Sequence, residues 1–188
     1  MTKFIQSYNP DWQTEFNKIQ KIIQSELSDL KIDIQHVGST SIPGLFAKTI
    51  LDIDVIIEEK NLLGEITLRL EKIGYASKGE QGISGRFAFR QTSDFTPLTF
   101  SKKKWQSHHL YVCYSDSLAL KNHLLFRDTL RNDSGLAERY SQLKKTLARS
   151  SDNSREQYTK KKTDFILSVL ETLGLDKAEL KEIRNANV

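Results

Sequence analysis

Residues 50–57 read ILDIDVII, the most apolar stretch of the chain, and it carries two carboxylates. β-Branched residues at this density favour an extended strand. Side chains alternate along a strand, so Ile53, Val55 and Ile57 share one face and Asp52 and Asp54 the other. Such a strand needs an apolar layer against one face and a polar site or solvent against the other. Two carboxylates at i and i+2 have Cα atoms about 6.5–7 Å apart, from a rise of about 3.3 Å per residue. Like charges this close in an apolar stretch repel unless a cation lies between them. Their oxygens can converge on one Mg²⁺ or bracket two, and Mg²⁺ commonly takes one or two carboxylates plus substrate phosphates. The plain alternative is a solvated outer face with Ile and Val turned inward.

The surrounding pattern alternates helix and strand, then becomes all helix. Asn9, Pro10 and Asp11 read as a helix start: a cap, a residue suited to the first turn, and a negative charge at the positive end of the dipole. Trp12, Phe16, Ile19, Ile23, Leu27 and Leu30 recur at helical spacing, which predicts about five turns of amphipathic helix. Residues 32–37 (IDIQHV) predict a strand, and Leu62 to Ile73 a helix with Gly74 as its C-terminal cap. Residues 86–90 (RFAFR) and 108–114 (HHLYVCY) predict two more strands, with a loop or ragged hairpin between them. Helices are expected near 116–131, 135–149 and 154–173, with a short one from Asp176, and Ser134 and Ser154 are candidate N-caps. The layout is α+β: a small mixed sheet, flanking helices and a helical C-terminal third. The expected division is an α/β core over 1–115 and a helical region over 116–188 packed on it as one compact unit.

Composition excludes several classes. The chain has 188 residues, enough for a real core. Its single Cys113 rules out an internal disulfide and a cysteine-rich metal site. No apolar run approaches the roughly 20 residues needed to span a bilayer, and Met1 to Pro10 lacks the apolar segment of a signal peptide. A cytoplasmic protein with no membrane partner is the expectation. A net charge of +4 permits an anionic ligand without demanding one.

A second feature lies close to the Asp pair. Val37-Gly38-Ser39-Thr40 is a small polar turn directly after a strand. Such a turn exposes backbone N–H groups and hydroxyls, which can hold a phosphate; taken alone it is usually just a turn. The string HVGSTSIPGLFAKTILDIDV, His36 to Val55, resembles the signature of the GrpB family. Further segments follow in order: Gly82-Ile83-Ser84-Gly85-Arg86 with Phe89, His108-His109-Leu110, Phe126-Arg127-Asp128 with Leu130-Arg131, then Tyr140 and Leu143-Lys144. The resemblance spans residues 8 to 165. That family is in turn similar to the nucleotidyltransferase superfamily, whose signature is a Gly-Ser turn followed by an acidic-x-acidic strand.

The resemblance implies a nucleotidyltransferase-like fold and the transfer of a nucleotide from a nucleoside triphosphate to an unknown acceptor. It implies that Gly38, Ser39 and Thr40 cradle the triphosphate and that Asp52 and Asp54 bind Mg²⁺ (or Mn²⁺). One departure stands out. Active superfamily members usually carry a third carboxylate on a later central strand, and the later strands predicted here, 86–90 and 108–114, contain no Asp or Glu. His108 and His109 stand on the second of them, and only one can enter the cleft. His109 is favoured, because Tyr111 and Cys113 share its side. It could serve as base, phosphate contact or metal ligand, or be an ordinary polar residue at a strand edge. Glu80 could reach the site from the glycine-rich loop. The missing carboxylate keeps a second reading open, a catalytically inactive nucleotide- or RNA-binding module on the same fold.

Among the basic residues, Lys48, Arg86 and Arg127 are candidate phosphate contacts, since guanidinium groups suit bidentate phosphate recognition. Arg127 has a local alternative in pairing with Asp128 or Asp133. Arg131 and Lys144 read better as solvated or ion-paired surface residues. Lys102-Lys103-Lys104 beside Trp105, and Lys160-Lys161-Lys162, admit RNA as a partner, though charge runs of three usually form a solvated face. His36 can position the turn through a hydrogen bond. His123 is given no role, and Cys113 reads as strand core.

Overall fold

The computed structural model describes residues 5–149 and 155–186. Five strands form one mixed sheet: β1 (Ile32–Val37), β2 (Leu51–Ile57), β3 (Tyr75–Ser77), β4 (Arg86–Gln91) and β5 (His108–Tyr114). Their order across the sheet is β1-β2-β5-β4-β3. The central pair β2 and β5 is parallel, and the other pairs are antiparallel. Two helices, α1 (Asp11–Glu26) and α2 (Leu63–Lys72), precede or interrupt the strands. Four more follow: α3 (Leu118–Asn132), α4 (Ser134–Arg149), α5 (Arg155–Thr172) and α6 (Lys177–Ala186).

The alternation of β2 places α1 and α2 on one face. Ile53, Val55 and Ile57 join Leu110 and Val112 of β5 under Trp12, Phe16, Ile19 and Ile23 of α1 and Ile66 and Leu70 of α2, all buried. Burying a large aliphatic or aromatic side chain contributes about 1.5–3 kcal/mol, so this layer dominates the fold's stability. The other face is left to the Asp side chains and to α3, which packs on β1 and β5. A second apolar cluster joins the two parts: Ile42 and Leu45 after β1 meet Leu130 of α3 and Tyr140 of α4. A third holds α5, α6 and the start of α3 together through Leu167, Leu170, Leu175 and Ile183.

The element order agrees with the α+β reading, with specific differences. Asn9 Oδ1 accepts the Asp11 N–H at 3.0 Å, as expected of a cap, but α1 ends at Glu26 and leaves Leu30 outside the helix. β3 was not anticipated, because three residues are too few to show a period. Ser134 lies inside α4; the cap is Asp133, whose Oδ1 accepts the Leu136 N–H at 2.8 Å. Ser154 lies outside the described residues. The segment between β4 and β5 forms no strand pair, and the aromatic of its basic run is not open for stacking. Trp105 packs against the main core and donates Nε1–H to Pro97 O at 2.8 Å. Lys103 lies over that ring and pairs with Glu15 at 3.1 Å. No described helix is long and apolar enough to cross a membrane.

Candidate functional site

The turn after β1 is built around a position where only glycine fits. Gly38 has φ +67°, and an added Cβ would run into the Asp52 carboxylate. The chain then makes one tight turn, Ser39–Ser41, in which Ser41 Oγ donates to Gly38 O at 2.7 Å. Arg131 of α3 holds it from outside by donating to Ser41 O at 3.0 and 2.8 Å. His36 holds it from inside. Its ring stacks on Phe16, with centroids 4.6 Å apart, and Nε2 lies 3.0 Å from Thr40 Oγ1.

Strand register then brings the acidic residues to the turn. Asp52 lies opposite Val37 on β1 and His109 on β5, while Asp54 lies opposite Tyr111. Asp52 Oδ1 is 3.0 Å from His109 Nδ1, and its side chain is 30% exposed. Asp54 is fully buried. Its Oδ2 accepts from His123 Nδ1–H of α3 at 2.7 Å. Its Oδ1 is buried with no hydrogen-bond partner among the described residues. A buried carboxylate oxygen left unpaired is costly, and burial next to a partnered oxygen does not by itself satisfy it. Burial alone would lower the His123 pKa, but the charge and hydrogen bond of Asp54 outweigh it and hold it above the ordinary value. Arg86 of β4 lies over the Tyr111 ring at 4.5 Å, and its Nε is likewise buried without a partner.

Cations face this acidic end across a cleft of ≈ 350 Å³. Lys144 of α4 is 2% exposed, donates to Ser39 Oγ at 3.0 Å and lies 4.6 Å over the Tyr140 ring. No described carboxylate is paired with it, and burial, then the nearby Lys162 charge, lowers its pKa to about 7. Burial also lowers the pKa of Lys162 of α5, opposed by the charge of Asp52 and reinforced by that of Lys48. Lys48 and Tyr158 lie across the same opening, with Nζ 5.5 Å from the ring centroid.

The cleft therefore gathers Gly38, Ser39, Lys48, Asp52, Arg86 and His109 from the sequence reading. Three expected residues are corrected. Thr40 is buried with its hydroxyl on His36 and does not line the cleft. Arg127 borders the cleft, but its donors are committed: Nε and Nη2 to Asp128, and Nη1 to Gln35 Oε1 and His36 O. It therefore braces β1 against α3. Glu80 stays in its loop and accepts the Gly85 N–H at 2.8 Å. His108 is turned away, buried with Nε2 at 2.6 Å from Tyr75 OH and Nδ1–H donating to Gln106 O at 2.8 Å. The sequence reading missed or misread four residues that line the cleft: His123, Lys144, Lys162 and Tyr158. His123 is four residues before Arg127 and Lys144 four after Tyr140, so helical spacing from residues already singled out was the available signal.

The donor set fits a hard divalent cation. No three His, Cys, Asp or Glu side chains converge as a metal cluster among the described residues. Two carboxylates with one unpaired buried oxygen suit Mg²⁺ or Mn²⁺, which complete their shell with substrate phosphate oxygens rather than with a protein cage.

The histidines also set a pH response. Burial, then the charge of Arg131, lowers the pKa of His36 to about 4; burial, then the neighbouring His109, does the same for His108. Between about 4 and 6.5 the unfolded chain binds more protons, so stability rises with pH across this window and is complete above it. Each group contributes on the order of 3 kcal/mol. His123 acts in a separate window, since its raised pKa gives stability that fades as pH climbs above 6.5. Urea midpoints measured from pH 4 to 7 are expected to rise, then level off.

The architecture matches known structures. The poly(U) polymerase Cid1 bound to the UTP analogue UMPNPP superposes with a TM-score of 0.59 at 19% identity, over 89% of this chain and 50% of that one. The fold is nucleotidyltransferase-like. A crystal structure of GrpB from Enterococcus faecalis superposes with a TM-score of 0.72 at 30% identity, covering 95% of this chain and 98% of that one. The family model for GrpB protein matches residues 3–172. The chain belongs to the GrpB family. Relatives include the glutamate-rich protein GrpB of Alkalihalophilus pseudofirmus, 30% identical over 87% of this chain and 91% of that protein. The UPF0157 protein YqkA of Bacillus subtilis is 31% identical over 85% of this chain, which spans only 43% of that protein.

Proposed function

We propose that this protein is a Mg²⁺-dependent nucleotidyltransferase that moves a nucleotide from a nucleoside triphosphate to an acceptor. The observation that carries the reading is one cleft with Asp52 at one end, Asp54 buried beside it on the same strand face, and at the other end lysines with no carboxylate partner among the described residues, the two ends meeting at Gly38 and Ser39. Lys144, Lys162 and Lys48 supply charge for the triphosphate, and Ser39 orients Lys144. Asp52 and Asp54 would hold the metal, which supplies Lewis-acid polarisation of the phosphate and charge neutralisation of the leaving group. His109 orients Asp52, and His123 orients Asp54. Arg86 forms part of the wall between the cleft and the neighbouring cavity. The Cid1 structures with MgGTP and with a UTP analogue support the reading through their fold alone. A second reading, an inactive nucleotide- or RNA-binding module, rests on the absence of Asp and Glu from β4 and β5.

Calorimetric titration with ATP, CTP, GTP and UTP, with and without Mg²⁺, tests nucleotide binding. At least one is expected to bind in a Mg²⁺-dependent way. Lys144→Met separates function from stability. A hydrogen bond from a charged donor is worth about 1.5–3 kcal/mol, so affinity should fall roughly tenfold or more. Stability should rise, because a buried lysine without a carboxylate is replaced by an apolar group of similar length. Binding should also weaken from pH 7 to 9, as Lys144 of the free protein gives up its proton. No binding by a folded sample, or unchanged affinity in Lys144→Met, would count against the proposal.

A further inference from the structure

A second cavity of ≈ 360 Å³ lies beyond the first. The two share Arg86, Asn122 and His123 as walls. Its other sides are Ile83 of the glycine-rich loop, Leu118 and Ala119 of α3, and Ala178 and Ile183 of α6. His123, which both cavities share, donates to the buried Asp54 behind it. We propose that this cavity is the acceptor subsite and that it takes a small organic acid bearing the attacking hydroxyl. The inference rests on the nucleotidyltransferase reading and extends it to the second substrate.

Three observations support it. The first is direction. In phosphoryl-type transfer the attacking and leaving oxygens lie roughly in line through phosphorus. The lysines place the leaving pyrophosphate toward Ser39 and α4, so the attacking oxygen must arrive from the opposite side of the Asp pair. The second cavity meets the cleft at His123, the partner of Asp54, and none of the cleft lysines lines it. In the step, the acceptor oxygen bonds to the α-phosphorus, and the bond from that phosphorus to the bridging oxygen breaks. Pyrophosphate leaves with the electron pair, and the hydroxyl proton passes to solvent.

The second observation is size. The cavity falls in the range of small-molecule sites, about 300–1,000 Å³. Its apolar walls suit a short carbon skeleton, and Ile183 is anchored in the third apolar cluster, so α6 is a fixed wall. This wall lies wholly after residue 172, where the GrpB match ends.

The third is charge. Arg86 Nε is buried without a partner, and Lys181 stands at the rim, with Glu182 beside it. A guanidinium N–H without a partner among the described residues suits a carboxylate.

The test uses the full chain with Mg²⁺, the nucleotide found by titration, and four probes: glycerate, 4-hydroxybutyrate, L-serine and glycerol 3-phosphate. An oligouridylate and an acceptor-free reaction run alongside. Pyrophosphate release reports transfer, and saturation-transfer NMR reports binding of the acids without nucleotide. Ala178→Trp fills the second cavity from an exposed position that does not line the first, and Ala178→Ser is its conservative control. At least one acid is expected to accelerate release about tenfold or more. Ala178→Trp should reduce that acid's kcat/KM and its NMR signal by about tenfold, with nucleotide affinity and melting temperature retained, and Ala178→Ser should behave as wild type. Acid binding or stimulation that survives Ala178→Trp overturns the assignment. So does an oligouridylate that alone acts as acceptor, or a protein that binds nucleotide and none of the acids. If no nucleotide binds, the parent reading and the acceptor role fall together, and an NMR signal lost in Ala178→Trp would then mark only an acid-binding cavity.

Discussion

Asp54→Asn is expected to lower pyrophosphate release by at least about a thousandfold, or about 4 kcal/mol of transition-state stabilisation. The substitution is nearly isosteric, and the amide oxygen can still accept from His123 Nδ1–H, so the cleft should keep its shape. What is lost is negative charge at the one buried carboxylate oxygen that nothing in the described protein occupies. Asp52→Asn should be milder, because Asp52 is partly exposed and its charge is partly screened by water. The double variant divides the readings. Loss of turnover with residual binding fits catalysis, whereas loss of metal-assisted binding in a protein that never turned over fits the inactive module. If Asp54→Asn releases pyrophosphate within about tenfold of wild type, neither carboxylate chemistry nor a metal at this position is needed. If wild type binds no nucleotide and the double variant is simply more stable, the pair is only a site of charge repulsion.

Tyr140→Ala is expected to destabilise the protein by about 3–5 kcal/mol, the usual range for truncating a buried aromatic. For a chain of this length that corresponds to a fall in Tm of roughly 10 °C. Tyr140 is fully packed between Ile42 and Leu45 of the post-β1 segment, Leu130 and Phe126 of α3, and Phe165 of α5, with ring centroids 5.2 Å from Phe126 and 5.0 Å from Phe165. It joins the proposed α/β core over 1–115 to the helices over 116–188, and it also floors the cleft. If those two parts form one cooperative unit, the tyrosine near-UV signal and the far-UV signal should move together in both proteins. Two separated transitions in wild type would show that the helical third folds independently.

The legible part of this protein was what local periodicity and the ordered motifs carried. Residues 50–57 could bury only one face, so β2, its apolar layer and the common direction of Asp52 and Asp54 followed from alternation alone. The amphipathic spacing of α1 and the apolar repeats of the later helices were equally local. The fold class and family followed because motif order survives where overall identity is low. The short β3 escaped because three residues have no period, and the capping of α4 by Asp133 instead of Ser134 turned on a one-residue shift in helix start.

The composition of the cleft was decided at another level. Lys144 looked like a solvated helix lysine, and it is buried because α4 crosses the Gly38–Ser41 turn and presents it to Ser39. His123 carried no signal of its own; α3 packs across β5 and brings it to Asp54, 69 positions away in the chain. The packing of α3 on β1 commits Arg127 to Gln35 and His36, while Thr40 is bonded within its own segment to His36. A strand's faces are set within a few residues by backbone geometry. Which distant charges share a cavity depends on how helices lie across the sheet, and that follows from the summed packing of many side chains that no single motif records.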